Sequence, residues 1–449
     1  MGSPRRKSPR NGWESGARSP PTWPTARPRW TCTAASSASR KPEGPGRRVE
    51  EVPMPEKVRV GLIGAGFVGH IHARAYRRIT DLDVDIAAVA AVPLAQAEAL
   101  AREFGIRDAY EDYRRILDRD DINLVDLSVP NHLHEPFALE AAQAGKHIIC
   151  EKPLTGYFGG PGAADPVGAT PKHLMLKEAL ASADRMIAAA ERHGVKLMYA
   201  ENWLYCPAVQ KALRLAQASG GTILEIRAQE CHSGSHASYA KAWKFAGGGS
   251  LVRLAPHPIG CALYFKQQEG LRRDGKPIEV ASVMAEAGDL SKIPSFQAEP
   301  EKWLVADWQD VENWCTIIMT FTDGSRALIQ ASDIVLGGME DTLQIMLSNA
   351  RIDCNMTHSG MVMAFAPAEH VFADEYIMEK LNTKAGWSYP SVDEEWLLGY
   401  PQEIRDFVEA VAFDRDPLAG AHLGREVVKV IYAAYQSAEE GRRISLQGV

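Results

Sequence analysis

The sequence of 449 residues has no apolar run that approaches the roughly 18 residues needed to cross a lipid bilayer. Its seven cysteines are scattered and none is spaced C-x-x-C, so the pattern indicates neither a disulfide framework nor a zinc ribbon. An excess of basic residues is also missing, because 50 Lys and Arg face 57 Asp and Glu and the net charge is −7. These absences exclude a membrane-spanning protein and argue against a nucleic-acid-binding one. We expect a cytoplasmic protein in a reducing compartment.

Residues 1–53 contain no leucine, isoleucine or phenylalanine, the residues that would bury a core. The segment holds nine of the 27 prolines, and eleven Lys and Arg against four Asp and Glu. Because such a composition cannot offset its ordering entropy, we predict a disordered or mis-annotated extension, with Met54 as the alternative start. A mitochondrial transit peptide is a further alternative, against which the proline density argues.

The rest of the chain has an ordinary globular composition, and the total length predicts two or three domains. The run Val58 to Ile63 has the pattern of a strand, and it leads into the turn Gly64-Ala65-Gly66-Phe67-Val68-Gly69 and a helical repeat. Strand, glycine turn and helix in this order predict a dinucleotide-binding unit. Gly64 makes the tight turn, Gly66 lets the backbone approach a pyrophosphate, and Gly69 permits close helix–strand packing.

The second predicted strand, Val84 to Val89, is followed by Ala90-Ala91-Val92-Pro93. It lacks the acidic residue that would bind the adenosine ribose hydroxyls, and no arginine is present for a 2′-phosphate. The strand end therefore does not discriminate between NAD and NADP as the expected cofactor. Helices and strands then alternate, which predicts a doubly wound parallel sheet. Two loops at strand ends, at Ser128–His132 and Glu151–Pro153, should face the cofactor.

Four blocks of the sequence occur in the order VRVGLIGAGFVGHIHARAY, VDLSVPNHLHEPFALEAAQAGKHIICEKPLT, GVKLMYAENW and GGGSLVRLAPHPIG. Together they resemble the glucose-fructose oxidoreductase and inositol dehydrogenase (Gfo/Idh/MocA) family. The resemblance implies an NAD(P)-binding Rossmann domain over residues 54–200. It also implies an α+β domain with an open, mostly antiparallel sheet over residues 201–449. The second domain is expected to bind substrate and to assemble a homodimer or homotetramer, with C-terminal helices packed back on the Rossmann domain.

The resemblance also assigns roles to individual residues. The positions expected to bind the cofactor are Gly64, Gly66, Phe67, Val68, Gly69, Ser128, Pro130, Asn131, His134, Glu151 and Lys152. The family's Glu-Lys-Pro lysine, a catalytic residue that contacts the hydroxyl being oxidised, falls on Lys152. A lysine at a strand end can hydrogen-bond an alcohol, and burial can bring its pKa into a useful range for proton transfer.

The family pattern Gly-Gly-x-x-x-Asp-x-Gly-x-His-x-x-Asp aligns with GGSLVRLAPHPIG, and three positions depart from it. His257 keeps the histidine and is a candidate acid–base partner of Lys152. Arg253 replaces the first aspartate, Ala255 the glycine and Gly260 the second aspartate. A guanidinium would favour a neutral lysine and offer a planar fork to an anionic group, so we expect a substrate with an acidic group. The alternative is that Arg253 points outward and the site is altered or inactive.

Two further segments are expected to shape the pocket. The loop after the strand Ile223 to Cys231 contains His232 and Trp243, which we predict to bind substrate, with Trp243 stacked on a sugar ring. His232 and His236 have no carboxylate cluster nearby, so we predict no metal. The Gly- and Pro-rich stretch Gly156 to Leu174 has the composition of an inserted loop, either a lid or a disordered excursion.

Together these features predict an NAD(P)-dependent oxidoreductase. It would move hydride between nicotinamide and a hydroxyl-bearing carbon of a sugar, cyclitol or related derivative, including one with an acidic group. Lys152 would handle the hydroxyl proton with help from His257. Two alternatives stay open: a glycoside-cleaving enzyme that oxidises its substrate transiently, and a non-catalytic nucleotide-binding sensor. We expect neither a nucleic-acid nor a membrane partner.

Overall fold

The computed structural model describes residues 56–357 and 360–448; the predicted extension, residues 1–53, lies outside the described residues. The strands of this part of the chain are β1 (Val58–Ile63), β2 (Val84–Ala90), β3 (Asp108–Tyr110), β4 (Leu124–Leu127), β5 (His147–Glu151), β6 (Leu197–Ala200), β7 (Ile223–Cys231), β8 (Val280–Gly288), β9 (Trp314–Phe321), β10 (Arg326–Ser332), β11 (Glu340–Leu347), β12 (Arg351–Asn355), β13 (Ala364–Ala366), β14 (Gly386–Ser388) and β15 (Ile444–Ser445). Its α-helices are α1 (Phe67–Arg77), α2 (Leu94–Phe104), α3 (Arg114–Leu117), α4 (His134–Gln143), α5 (Lys172–His193), α6 (Pro207–Ser219), α7 (Trp243–Ala246), α8 (Ser250–Arg253), α9 (Pro256–Asp274), α10 (Pro294–Gln297), α11 (Glu394–Leu397), α12 (Tyr400–Ala412) and α13 (Ala421–Glu440).

The first sheet has six parallel strands in the order β3-β2-β1-β4-β5-β6, which confirms the predicted doubly wound sheet. Its central strands β1, β4 and β5 are buried almost throughout, as expected for strands covered by helices on both faces. The strand order reverses between β1 and β4. A crevice for a ligand therefore opens beyond the carboxyl ends of these two strands.

The second sheet has seven strands in the order β12-β11-β7-β10-β9-β8-β15. Only β7 and β10 pair in parallel, so the sheet is mostly antiparallel and the predicted fold class is confirmed. Alternate residues of β7 and β11 are buried on one face, against which α9 packs. The opposite face exposes three large apolar side chains, those of Met284, Ile318 and Leu328.

The two C-terminal helices contact both halves of the chain. Helix α12 packs on α1, and α13 packs on α5 and on β8. The described residues form one compact unit. The domain boundary between residues 200 and 201 therefore stays a prediction.

Two stretches show where local patterns mislead. The residues Tyr110 to Leu117 have the pattern of one helix, but Asp108–Tyr110 is strand β3 and the helix spans only Arg114–Leu117. A three-residue edge strand is too short for a period-two pattern and is defined by its pairing with β2. The predicted insertion after Gly156 has a 3-10 turn at Val167–Ala169 before α5 begins at Lys172.

Within the described ranges, no helix is long and apolar enough to cross a membrane. The six cysteines in these ranges are buried free thiols. The same residues contain no group of three His, Cys, Asp or Glu side chains arranged to hold a metal ion.

Candidate active site

The glycine turn lies at the carboxyl end of β1. Gly64 has a φ of +113°, and a Cβ there would lie 2.0 Å from the carbonyl oxygen of Ser128. A Cβ on Gly69 would lie 2.3 Å from the carbonyl oxygen of Gly64. Gly66 is exposed at the start of α1, and a Cβ there would meet no atom within 4 Å. The turn thus leaves open space beside the free N–H groups of α1, where a pyrophosphate would fit.

We expect Gly66→Val to weaken NAD or NADP binding by roughly tenfold or more, because the side chain would occupy the space of a phosphate. The φ of Gly66 is −83°, which valine can adopt, so the thermal midpoint of the free protein should change little. Calorimetric titration with each nucleotide measures the effect. Gly288→Val is the control, since its Cβ also meets no atom within 4 Å but lies on β8. If Gly66→Val bound NAD and NADP with wild-type affinity, the pyrophosphate would not lie in the open space beside Gly66.

The remaining predicted cofactor residues differ in accessibility. Phe67 is 63% exposed beside the turn, and Val68, Ser128, Pro130 and Asn131 are half-buried near the strand ends. The Asn131 side chain donates a hydrogen bond to the carbonyl oxygen of Ala246 at 2.8 Å. Cofactor contacts by these five residues stay predictions.

His134 is fully buried. Its Nδ1 lies 2.9 Å from the carbonyl oxygen of Pro153, and its Nε2 lies 3.0 Å from that of Val129. Burial lowers the pKa of the ring. His134 therefore ties together the two loops that follow β4 and β5, which corrects the prediction that it contacts the cofactor.

A buried charge network beneath these loops is missing from the sequence-based predictions. The Nδ1 atom of His72 lies 2.9 Å from Asp126 Oδ2, and its Nε2 atom lies 3.2 Å from Glu151 Oε1. Burial alone would lower the pKa of His72, but the two carboxylates raise it well above its ordinary value. Glu151 Oε2 also accepts a hydrogen bond from the backbone N–H of Lys152 at 3.0 Å. Glu151 therefore joins His72 to the lysine loop, and its expected cofactor contact stays a prediction.

Lys152 is half-buried, and its Nζ donates a hydrogen bond to the carbonyl oxygen of Arg253 at 2.6 Å. The Arg253 side chain turns away to Asp333, a buried residue just after β10. Nη1 of Arg253 donates to Asp333 Oδ1 at 3.2 Å, and Nη2 donates to the other oxygen. The guanidinium also lies over the Trp308 ring, 4.8 Å from its centroid. Because a carboxylate of the protein already fills the fork, the structure corrects the prediction that Arg253 anchors an anionic substrate.

His257 lies in the first turn of α9. Its Nδ1 lies 2.5 Å from Glu201 Oε1, and its ring stacks on Trp203 with centroids 5.5 Å apart. Its Nε2 faces Glu230, 3.8 Å from Oε2. A Cβ on Gly260 would lie 3.2 Å from the Glu201 carboxyl carbon. Thus Glu201 fills the place of the family's second aspartate. Glu201 directly follows β6, and Glu151 is the last residue of the neighbouring strand β5.

The two predicted pocket residues from the loop after β7 are both buried. Trp243 is 3% exposed, its Nε1 donates to the Tyr157 carbonyl oxygen at 3.0 Å, and its ring packs on Tyr435. This placement corrects the prediction that Trp243 stacks on a sugar. His232 accepts the backbone N–H of Gly234 at Nδ1, and burial lowers its pKa well below the usual value. Substrate contact by His232 stays a prediction.

Two acidic residues of the second sheet also face this site. Glu230 on β7 and Asp341 on β11 are 4% and 0% exposed. Glu230 lies within electrostatic range of both Lys152 and His257, and Asp341 lies within range of Lys152. A signal for them is present in the sequence, because each shares strand parity with buried apolar residues such as Ile226 and Leu343.

Family models match both halves of this site. Residues 58–159 match the oxidoreductase family model with an NAD-binding Rossmann fold, and residues 215–446 match the family's C-terminal alpha/beta domain. The chain belongs to the Gfo/Idh/MocA family. Membership confirms the predicted NAD(P)-binding Rossmann domain and, at the level of the family, the predicted oxidoreductase.

Individual relatives cover this chain to different extents. Levoglucosan dehydrogenase of Pseudarthrobacter phenanthrenivorans is 35% identical over 46% of this chain, and the match spans 51% of that enzyme. Myo-inositol 2-dehydrogenase of Thermotoga maritima is 21% identical over 87% of this chain and 99% of its own length. The crystal structure of GenD2 from gentamicin A biosynthesis, in complex with NAD, has a TM-score of 0.71 at 24% identity and covers 91% of this chain and 99% of that chain. The structural likeness shows the shared fold.

Proposed function

We propose that this Gfo/Idh/MocA protein is an NAD(P)-dependent dehydrogenase that acts on a hydroxyl-bearing carbon of a sugar, cyclitol or related polyol. The observation that carries the proposal is that Lys152 and His257 both lie within electrostatic range of one carboxylate, that of Glu230, beyond the Rossmann strand ends. The names of two relatives, a levoglucosan dehydrogenase and a myo-inositol 2-dehydrogenase, support this substrate class. The choice between NAD and NADP stays open, and cytoplasmic location stays a prediction.

When NAD(P)⁺ is bound, it would accept the hydride from the carbinol carbon, and the hydroxyl proton would pass to the protein. Lys152 would bind the hydroxyl oxygen and carry this proton, since the Arg253 carbonyl holds its Nζ in place. His257 would assist through Nε2. Glu201 is a positioning residue in this scheme, because it holds the proton of His257 on Nδ1 and leaves Nε2 free to accept one.

The proposal does not require an acidic group on the substrate. The Arg253 guanidinium, the cation expected to bind such a group, is neutralised by Asp333 inside the protein. Neutral and cationic polyols therefore fit the charges of the site better than anionic ones.

A substrate screen tests the proposed function. The full chain is incubated with NAD or NADP and matched neutral, acidic and amine-bearing sugars, polyols and glycosides, while NADH or NADPH and free aglycone are measured. We expect net cofactor reduction with at least one polyol. Aglycone release without net reduction would replace the proposal by glycoside cleavage. Nucleotide binding with no turnover on the whole panel would favour the sensor alternative.

We also propose that the protein forms a homodimer or homotetramer through the outer face of the second sheet. Its three large apolar side chains there are between 37% and 44% exposed. Leu328→Glu in the centre of this face should shift the mass measured by light scattering to that of the monomer, because a buried unpaired charge opposes association. Leu271→Glu is the control, since Leu271 is 47% exposed near the end of α9. A monomeric wild type would refute the assembly.

A further inference from the structure

We propose that the substrate carries a protonated amine that binds between Glu230 and Asp341, so that the enzyme acts on an amino sugar or an aminocyclitol. The inference rests on the proposed dehydrogenase function and narrows its substrate class. The amine itself would be unchanged in the reaction; the hydride goes to NAD(P)⁺ and the hydroxyl proton to the protein.

Glu230 and Asp341 lie directly opposite each other in the antiparallel register of β7 and β11. Both side chains are on the buried face of the sheet. Residues opposed in this way have Cβ atoms about 4.5–5.5 Å apart, and two like charges there destabilise the sheet. Burial accordingly raises the pKa of both carboxyls. A bound cation would relieve the repulsion.

The protein itself provides little to satisfy these two carboxyls. Among the described residues, no group donates a hydrogen bond to either oxygen of Asp341 or to Oε2 of Glu230. The ion pairs of this part of the chain include none with Asp341, and Glu230 has only His257 at 3.8 Å. Buried polar atoms are nearly always hydrogen-bonded. Because these carboxyl oxygens lie beside the residues proposed to react and lack a donor from the protein, we infer that the ligand supplies the donor.

The surrounding charges favour an ammonium over a neutral hydroxyl as that donor. Three further acids lie within electrostatic range of the pair, namely Glu201, Glu379 and Glu394. Hydrogen bonds from a charged donor to a carboxylate are roughly twice as strong as neutral ones. The surrounding acids therefore stabilise a bound ammonium group, whereas they stabilise a neutral hydroxyl group little.

The basic side chains nearby have other partners within the protein. Lys152 donates to the Arg253 carbonyl oxygen, and Lys380 lies 3.7 Å from Glu379. The Arg253 guanidinium is paired with Asp333. His257 is held by Glu201 through Nδ1. Since Glu230 Oε2 lies 3.8 Å from His257 Nε2, the amine would sit on a carbon close to the one that is oxidised.

Pairs of substrates in which N-acetylation removes the charge of the amine test the proposal. D-glucosamine is compared with N-acetyl-D-glucosamine, and an amino-deoxy-inositol with its N-acetyl derivative, using the full chain with NAD or NADP. We expect kcat/KM for the amine to exceed that for the acetylated partner by roughly tenfold or more. Glu230→Gln and Asp341→Asn should each bring this ratio close to one. Glu225→Gln on the same strand, where Glu225 pairs with Arg227, should leave the ratio unchanged.

The outcomes separate the two proposals. Turnover of both partners with equal kcat/KM, or a ratio that both variants leave intact, would overturn the amine site while the dehydrogenase proposal stands. No turnover of any polyol would overturn the dehydrogenase proposal. In that case calorimetric titration of the NAD(P)-loaded protein with the two amines still decides the site. Binding that Asp341→Asn weakens would support the site, and no binding would overturn it.

Discussion

Replacing Lys152 by alanine should lower kcat by about 10²- to 10⁴-fold, the usual loss when a general acid or base is removed. The physical reason is that Nζ, held by the Arg253 carbonyl oxygen, is proposed to bind the substrate hydroxyl and carry its proton. NAD(P) binding should persist, because the open space beside Gly66 is untouched. Steady-state kinetics and calorimetric nucleotide binding measure the two quantities separately.

Lys177→Ala is the matched control, since Lys177 is exposed on α5. It should keep wild-type kinetics. A Lys152→Ala protein with unchanged kcat/KM would refute the proposed mechanism. If Lys152→Ala lost both turnover and nucleotide binding, the predicted cofactor contact of Lys152 or the fold of its loop would account for the loss, and the result would not support proton transfer by Lys152.

The second large effect is on stability, where Arg253→Met should lower the free energy of unfolding by about 3–5 kcal/mol. The substitution leaves Asp333 as an unpaired buried carboxylate, because Asp333 is 0% exposed and Arg253 is its bidentate partner. Urea unfolding followed by fluorescence measures the loss. Since burial raises the pKa of Asp333, the loss should be smaller at acidic pH, where the carboxyl takes up a proton.

The double variant Arg253→Met with Asp333→Leu should recover most of the lost stability, because replacing both members of a buried ion pair by apolar residues is often neutral or stabilising. This double-mutant comparison separates the pair from other effects of position 253. A change below about 0.5 kcal/mol in Arg253→Met, the range of ordinary surface substitutions, would contradict the pairing with Asp333. Arg253 would then again be a candidate anchor for an anionic substrate.

The parts of the site that the sequence predicts well depend on local geometry. Gly64 must adopt φ +113° against the Ser128 carbonyl, and only glycine tolerates that conformation and that contact. The alternation of apolar strands and amphipathic helices likewise depends on neighbouring residues, and it leads to the observed parallel sheet. Lys152 is identified by its resemblance to the family's Glu-Lys-Pro lysine, and it directly follows the buried strand β5. Its catalytic role stays a proposal.

The parts that sequence reasoning misses depend on contacts between distant residues. Arg253 is predicted as an open cation because its partner, Asp333, is 80 positions away. Trp243 and His134 are residue types that often contact ligands. Here packing buries both side chains, and their ring nitrogens form hydrogen bonds with backbone carbonyl oxygens. The contact of Glu201 with His257 is not predicted from the sequence, because Glu201 follows a strand of the first sheet and His257 lies on α9, which packs on the second sheet.

By itself, the sequence determined the glycine turn and the order of the Rossmann elements, because these follow from short-range conformational limits and from period-two and helical patterns. Its motif blocks identified the family by resemblance. The tertiary structure alone decided the charge of the site. It paired Arg253 with Asp333, placed Glu201 on His257, and set Glu230 opposite Asp341. The physical reason is that the electrostatic role of a side chain depends on which charges and how much solvent lie within a few ångströms, and only the folding of distant segments fixes those neighbours.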